Sequence, residues 1–464
     1  MPGRRRLISA LQFFPRGGSS HVARALALEL PPYGWDVTLV SGSRTDLDEF
    51  GDAASFYAGL DVRPVSFDEA LSSPDPFDPP RGAAPMQPSY EDRQGAPDLI
   101  FTALDDRAYE RQVTAWTEAL ADAGAAVADA LHLHHLTPIH EAATRAAPGV
   151  PVIGHLHGTE LLMLEAVASG PPPSWAHAEA WAERMRGWAQ RCERLIVASP
   201  SQVARATRLL DVEANRLVVL PNGFDPGTFI PREVDRAGLW REALVDSPRG
   251  WRAGADSGSV RYRLEDLSPL VDGVVVLSVS RFTAVKRLPL LIAAFARARE
   301  RARTPAGLVI VGGHPGEWEG EHPADTIRRL AVPGVFLTGW YDHDEVPAFL
   351  SGADVFALAS VREQFGLVLV EAMACGLPPV AVNRFGPAEI VTDGDTGWLV
   401  EPDDLDDLSA ALIEAISDPA ERARRGARAR AVAIERYGWP AVAGALADVL
   451  DRAASAAPAP GRVP

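Results

Sequence analysis

Val355-Phe-Ala-Leu-Ala-Ser-Val-Arg-Glu-Gln-Phe-Gly-Leu-Val-Leu-Val-Glu-Ala-Met-Ala-Cys-Gly376 reads as a strand (355–359), a loop (360–365) and a helix (366–375) in immediate succession, with Gly376 as the stop. The helix is apolar on every side, which predicts that it is buried. Yet it carries Glu371, and burying a lone carboxylate is costly unless something satisfies it. A polar ligand that comes and goes is the simplest partner. Glu363 stands eight residues earlier, in the loop at the strand's carboxyl end. Open parallel sheets bind ligands at that end. The free N–H groups around Phe365, Gly366 and Leu367 make an anion site there, and Glu363 is placed to face neutral hydroxyls. A surface loop position for Glu363, or a basic neighbour for Glu371, is the plainer reading of either residue alone. Their spacing and setting together favour a site.

Working outward, the same alternation of short apolar strands and helical stretches fills the chain, the pattern of α/β domains with parallel sheets. In the first half the strands fall at 7–14, 35–40, 130–133, 152–155, 195–198 and 217–220; in the second at 274–279, 307–311, 334–337, 355–359, 379–382 and 397–400. Two such series in 464 residues predict two doubly wound domains. The first is expected over 1–225 and the second over 271–438, with 226–270 as an irregular interdomain insertion. A second long irregular stretch runs over 64–97, a length that in a compact domain usually means function or disorder. The Ala/Pro-rich tail, 453–464, is expected to be disordered. Trp175, Trp181, Met185 and Trp188 lie near helical spacing and are read as core.

The net charge of −17 argues against nucleic acid, because phosphate backbones demand a concentrated positive field. Arg4-Arg5-Arg6 followed by an apolar run imitates a signal peptide, but the run is short, holds Gln12 and ends at Pro15. A first buried strand is the better reading. No apolar run approaches the roughly 20 residues that span a bilayer. Cys192 and Cys375 suggest no disulfide framework. These features point to the cytoplasm.

Arg281 and Lys286 follow the strand at 274–279, and two cations there suit a diphosphate. A ligand with both phosphates and sugar hydroxyls would satisfy them and the two glutamates together. Gly17-Gly18 follows the first strand, a turn that lets backbone N–H groups approach a phosphate; it is not GxGxxG, so no nicotinamide or flavin fingerprint is present. Six of the 11 histidines (His132, His134, His135, His140, His155, His157) lie between 132 and 157, and two strands end in histidines, at 131–135 and 154–158. No HExxH or CxxC spacing marks a metal, so none is assigned, and hydrogen bonding to substrate hydroxyls or satisfied packing is preferred. The candidates for contact with a second substrate are His134, His135, Tyr90, Arg93 and Glu160.

Taken together, these segments resemble a retaining family 4 glycosyltransferase with the GT-B fold. The resemblance is carried by Glu363-x7-Glu371, by Glu371-Ala-Met-Ala-Cys-Gly-Leu-Pro-Pro-Val380 and by Gly394-Asp-Thr-Gly-Trp-Leu-Val400. Arg281 and Lys286, Pro221-Asn-Gly223 with Asp225 and Phe229, His157-Gly-Thr-Glu160, and Gly17-Gly18 follow in the expected order. It implies two Rossmann-like domains facing a deep cleft, with a C-terminal helix, 439–452, packing back on the first. It further implies that Arg281 and Lys286 hold a nucleotide diphosphate and that Glu371 binds ribose. Glu363, with Phe365 and Gly366, would hold the donor sugar, His157 would contact that sugar, and Gly18 would close on the phosphates. The base would lie near Gly313, Leu337 and Thr338. The implied activity is transfer of a hexose or N-acetylhexosamine from a nucleotide sugar, UDP by family frequency, to a small soluble hydroxyl acceptor. No cofactor or bridging metal is implied, and a monomer or homodimer is expected. A lipid or cell-envelope glycan acceptor is the alternative; an epimerase or a non-catalytic nucleotide-sugar binder on the same fold is the alternative class.

Overall fold

A computed structural model of the chain describes residues 4–15, 17–46, 51–90, 99–363 and 365–456. It divides into two compact units, one of 1–222 with 439–464, the other of 223–438. Each is built on a parallel sheet.

The first unit holds β1 (Arg5–Leu11), β2 (Trp35–Ser43), β3 (Asp61–Ser66), β4 (Ala130–His134), β5 (Val152–His155), β6 (Arg194–Val197) and β7 (Leu217–Val219). Their order in the sheet is β3-β2-β1-β4-β5-β6-β7, with every pairing parallel. The central strands are buried on both faces, which is why they read as continuous apolar runs. β3 escapes that signal because it is an edge strand, exposed at most positions and carrying Pro64, which an edge tolerates and a central strand does not. Among the helices that begin at the carboxyl ends of strands in this sheet are α1 (Gly18–Glu29), after β1, and α2 (Thr159–Ala168), after β5. The C-terminal helix, Trp439–Ala456, also belongs to this unit. Val442, Leu446 and Leu450 pack with Leu7, Val22, Leu26 and Ile153 in one apolar layer, and Asp451 accepts from Arg5 at 2.7 Å and from the Trp35 indole at 2.9 Å. Residues 453–456, expected in a disordered tail, complete this helix; the rest of that tail lies outside the described residues.

The described part of 64–97 is not loose. Met86 and Phe67 are fully buried, the Phe14 N–H donates to Gln87 at 2.8 Å, and Gln112 donates to the Met86 carbonyl at 2.6 Å. Trp181, Met185 and Trp188 are core, as their spacing predicts.

The second unit holds β8 (Val274–Val279), β9 (Ala306–Val311), β10 (Val335–Gly339), β11 (Val355–Leu358), β12 (Pro379–Val382) and β13 (Trp398–Val400), in the order β10-β9-β8-β11-β12-β13. The helices that position its site are α3 (Leu288–Arg301), α4 (Leu367–Ala374) and the short α5 (Gly386–Ile390). The stretch 226–270, expected as an interdomain insertion, is part of this unit. Trp240 and Trp251 are fully buried, and the Trp251 indole donates to the Gly313 carbonyl at 2.7 Å. Its backbone lies against β10, the sheet's outer strand: a Cβ on Gly250 would fall 2.3 Å from the Leu337 carbonyl oxygen, and one on Gly339 would fall 2.2 Å from that of Arg249. The irregular segment thus covers an edge that would otherwise be free to pair. Among the described residues no helix is long and apolar enough to cross a membrane.

Candidate functional site

In the second sheet the strand order reverses between β8 and β11, and the loops leaving such a switch point splay apart to form a crevice. The loop after β8 carries Arg281 and Lys286; the loop after β11 carries Glu363. The two loops touch directly. The Val361 N–H donates to the Val285 carbonyl at 3.0 Å, and Lys286 Nζ meets Glu363 Oε2 at 2.5 Å, with side chains 17% and 19% exposed. Cation and carboxylate therefore stand together at the mouth of the crevice rather than at separate places on a ligand. Arg281 is exposed and has no ion-pair or hydrogen-bond partner among the described residues.

Glycine geometry fixes the Glu363 loop. Gly366 has φ of 99°, a left-handed turn that starts α4 with no side-chain cap, so the first helical N–H groups have no side-chain acceptor. Phe365 and Gly366 are buried and Leu367 partly so. From the other side, the Gly386 N–H donates to the Glu363 carbonyl at 3.1 Å.

Glu371 is 3% exposed and its Oε1 meets His343 Nε2 at 2.7 Å. His343 follows β10, and its ring packs 5.1 Å from that of Phe229. The hydrogen bond to Glu371, opposed by burial, lifts the imidazole pKa above its ordinary 6.5. The buried carboxylate does have a basic neighbour, one that sequence reading passes over although the strand-end rule also marks its loop. Substituting His343 with Ala is expected to destabilise the chain by about 1–3 kcal/mol, because it strands a buried acceptor. A raised folded pKa means the pair stabilises fully below the unfolded value of 6.5 and fades as pH climbs through the raised one. The melting-temperature gap between wild type and His343→Ala should therefore narrow as pH rises above 6.5. A gap that widens over that range would mean the pair is not an ion pair.

The positions expected to lie near the base have several polar groups already engaged within the unit. Leu337 and Thr338 are buried within β10; the Leu337 N–H already donates to the Tyr262 hydroxyl at 2.8 Å, and the Thr338 hydroxyl is spent on the Ile310 and Gly339 carbonyls. Gly313, with φ of 74°, has its carbonyl taken by Trp251 and its Cβ position filled by the Phe282 ring. The side chain that β10's carboxyl end exposes is Trp340.

In the first unit, Gly17 and Gly18 are exposed at the start of α1, with no side-chain cap and open space where each Cβ would sit. Their free N–H groups suit an anion. Of the residues expected to contact an acceptor, His134, His135 and Glu160 are buried. His135 Nδ1 meets Glu160 Oε1 at 2.6 Å, and the Glu160 carboxylate also accepts from the His157 N–H at 3.2 Å. Burial alone would raise the Glu160 pKa, but His135 and these hydrogen bonds hold it below the ordinary value. His157, only partly buried, has Nε2 at 3.0 Å from His134 Nδ1. His135 adopts φ of 61°, a left-handed conformation that a non-glycine residue keeps only when its surroundings enforce it. The partly buried Tyr90 donates to the Leu136 carbonyl at 2.7 Å, so its hydroxyl is also committed. Arg93 lies outside the described residues.

Two family models match the chain: glycosyltransferase family 4 over 16–228 and glycosyl transferases group 1 over 266–432. Among curated relatives, a GDP-mannose-dependent alpha-(1-6)-phosphatidylinositol monomannoside mannosyltransferase of Mycolicibacterium smegmatis is 32% identical over 42% of this chain and 52% of its own length. A D-inositol 3-phosphate glycosyltransferase of Catenulispora acidiphila is 29% identical over 66% of each. The chain thus spans about half to two thirds of the length of these two relatives. Among solved structures, Anabaena HepE in complex with UDP and glucose superposes with a TM-score of 0.64 at 19% identity, covering 97% of this chain and 100% of that one.

Proposed function

Since the chain belongs to the family 4 glycosyltransferases and has their two-sheet GT-B fold, we propose that it transfers a hexose or N-acetylhexosamine, with retention, from a nucleoside diphosphate sugar to a hydroxyl of a small acceptor. The observation that carries this reading is the Lys286–Glu363 pair, set by two adjacent loops at the switch point of the second sheet. A diphosphate entering there takes charge-assisted hydrogen bonds from Lys286 and Arg281, which stabilise the negative charge that grows on it as it leaves. Glu363, relieved of Lys286, accepts from the sugar's hydroxyls, and Glu371 accepts from the ribose while His343 steadies it. The bond between the anomeric carbon and the phosphate oxygen breaks. The acceptor oxygen attacks from the same face, and its proton passes to the departing phosphate. These protein cations supply the charge that a bridging metal would otherwise bring.

UDP is the first donor to test, supported by the ligand named for HepE, with GDP next because a relative is named as GDP-mannose-dependent. The relatives' names include an inositol phosphate and a phosphatidylinositol mannoside, both inositol compounds, which supports a cyclitol-type acceptor. Incubation with a panel of UDP-, GDP- and ADP-sugars, without added Mg²⁺ or Mn²⁺, should release nucleotide from one donor class, read by mass spectrometry. Inositol and its phosphate, tested against lipid-linked mannosides, should accelerate that release, and the product's anomeric signal should match the donor's. Glu363→Ala should slow turnover at least about 100-fold. Turnover of no donor, or full turnover in Glu363→Ala, would sink the assignment.

A further inference from the structure

The histidines of the first unit form a second arrangement, apart from Glu160 and His135. His132 and His134 lie two residues apart on β4 and so point to the same face of the sheet, while His155 stands directly beside His134 in the register of β4 and β5. That face is otherwise an apolar layer: Ala130 of β4 and Ile153 of β5 pack there with Val22 and Leu26 of α1 and with Val442 and Leu446 of the C-terminal helix. Three buried imidazoles in such a layer call for an explanation in their own right.

We propose that His132, His134 and His155 bind a divalent cation of the zinc class, which ties β4 to β5 inside the first unit. One ring nitrogen of each lies within 4.8 Å of the others. Metal–nitrogen bonds of about 2.0–2.1 Å in a tetrahedral site place ligand nitrogens roughly 3.3 Å apart, and His132 Nε2 lies 3.1 Å from His155 Nδ1. The third imidazole, His134, brings a ring nitrogen within 4.8 Å of both. All-nitrogen imidazole donors suit zinc and reject magnesium and calcium, which take oxygen.

The His155 ring makes its polar contact within the set through Nδ1; its Nε2 is buried and has no partner among the described residues. His134 Nε2 rests on the Ser9 hydroxyl at a long 3.3 Å, while its Nδ1 meets His157 Nε2 at 3.0 Å. No linear motif announces the site because its ligands come from two strands and their separation is fixed by sheet register.

Metal analysis of the full chain tests this. The purified protein should carry about one zinc per chain by mass spectrometry. Protein stripped with a strong chelator should melt lower, regain its melting temperature with Zn²⁺, and take up one Co²⁺ with a tetrahedral visible spectrum. His132→Gln and His155→Gln should each weaken binding of Zn²⁺ at least about 100-fold. His140→Gln, which alters a buried histidine outside the set, should leave that affinity within about threefold. If either Gln variant fails to fold, the reloading of stripped wild type still decides. Uptake of well under one Zn²⁺ or Co²⁺ per chain, or equal uptake by wild type and His132→Gln, overturns the proposal and leaves a hydrogen-bonded imidazole chain.

Discussion

Substituting Lys286 with Met should slow sugar transfer by about 100- to 1000-fold while leaving the melting temperature almost unchanged. The two expectations come from different magnitudes. As a partly buried ion pair, Lys286–Glu363 is worth about 0–1 kcal/mol to folding, because the desolvation of both groups and the lost freedom of two long side chains offset most of their attraction. As a donor aimed at charge that develops only in the transition state, a single group of this kind is worth about 2.7–4 kcal/mol. The methionine fills similar volume, so packing around α3 survives. It also leaves the Glu363 carboxylate unneutralised beside an incoming diphosphate, a repulsion that acts in the same direction. Lys286→Arg should restore part of the rate, because the charge returns but a planar fork replaces a point charge. The measurements are kcat on the donor identified by the panel, the dissociation constant for the nucleoside diphosphate, and thermal melting. A variant within threefold of wild type in both rate and affinity would reduce the pair to a structural contact. The central proposal would fall with it.

How far the sequence carried this site depends on what kind of contact each part makes. Runs such as Val274–Val279 and Val355–Leu358 were legible because a strand covered on both faces needs apolar residues at every position. Placing Lys286 and Glu363 at strand ends followed directly, since loops after parallel strands share one side of the sheet. That the two pair with each other was not legible. They lie 77 residues apart, and their meeting depends on β8 and β11 being neighbours in the sheet. His343 was missed for a similar reason: its partner Glu371 sits on a different element, and nothing local to either residue links them.

The histidines show the opposite case. Their clustering at the ends of β4 and β5 was plain, but a strand end has an inside and an outside. Alternation along β4 sends His132 and His134 into the apolar layer, and a left-handed turn at His135 aims that ring at Glu160 instead of at solvent. Long irregular segments misled in a related way. Trp240 and Trp251 within 226–270 are large apolar side chains that a true linker has no means to bury, and both are fully buried in the second unit.

The loop that aims Glu363 can be tested without touching a charged group. Gly386→Ala is expected to cost at least about 100-fold in transfer rate. A Cβ at this position would lie 2.1 Å from the Phe365 carbonyl oxygen and 2.5 Å from the Phe365 carbonyl carbon and Cα. Every colliding atom is backbone, so no side-chain rotation relieves it, and one of the two segments must retreat by about 1 Å. The Gly386 N–H that holds the Glu363 carbonyl moves with it. A displacement of that size at a reacting centre is enough for a loss of about 100-fold, whereas overpacking of this kind lowers stability by about 1–3 kcal/mol. Loss of stability alone must be distinguished from loss of aim. Gly394→Ala provides the control: its φ of 74° makes any side chain strained, but the space around its Cβ is open and its loop is not the one that carries Glu363. It should lose comparable stability and keep its rate. If Gly386→Ala and Gly394→Ala lose stability and rate in the same proportion, the 363–366 loop is not held by Gly386. If Gly386→Ala alone loses rate, at a temperature where both variants are folded, backbone contact with α5 sets the position of Glu363.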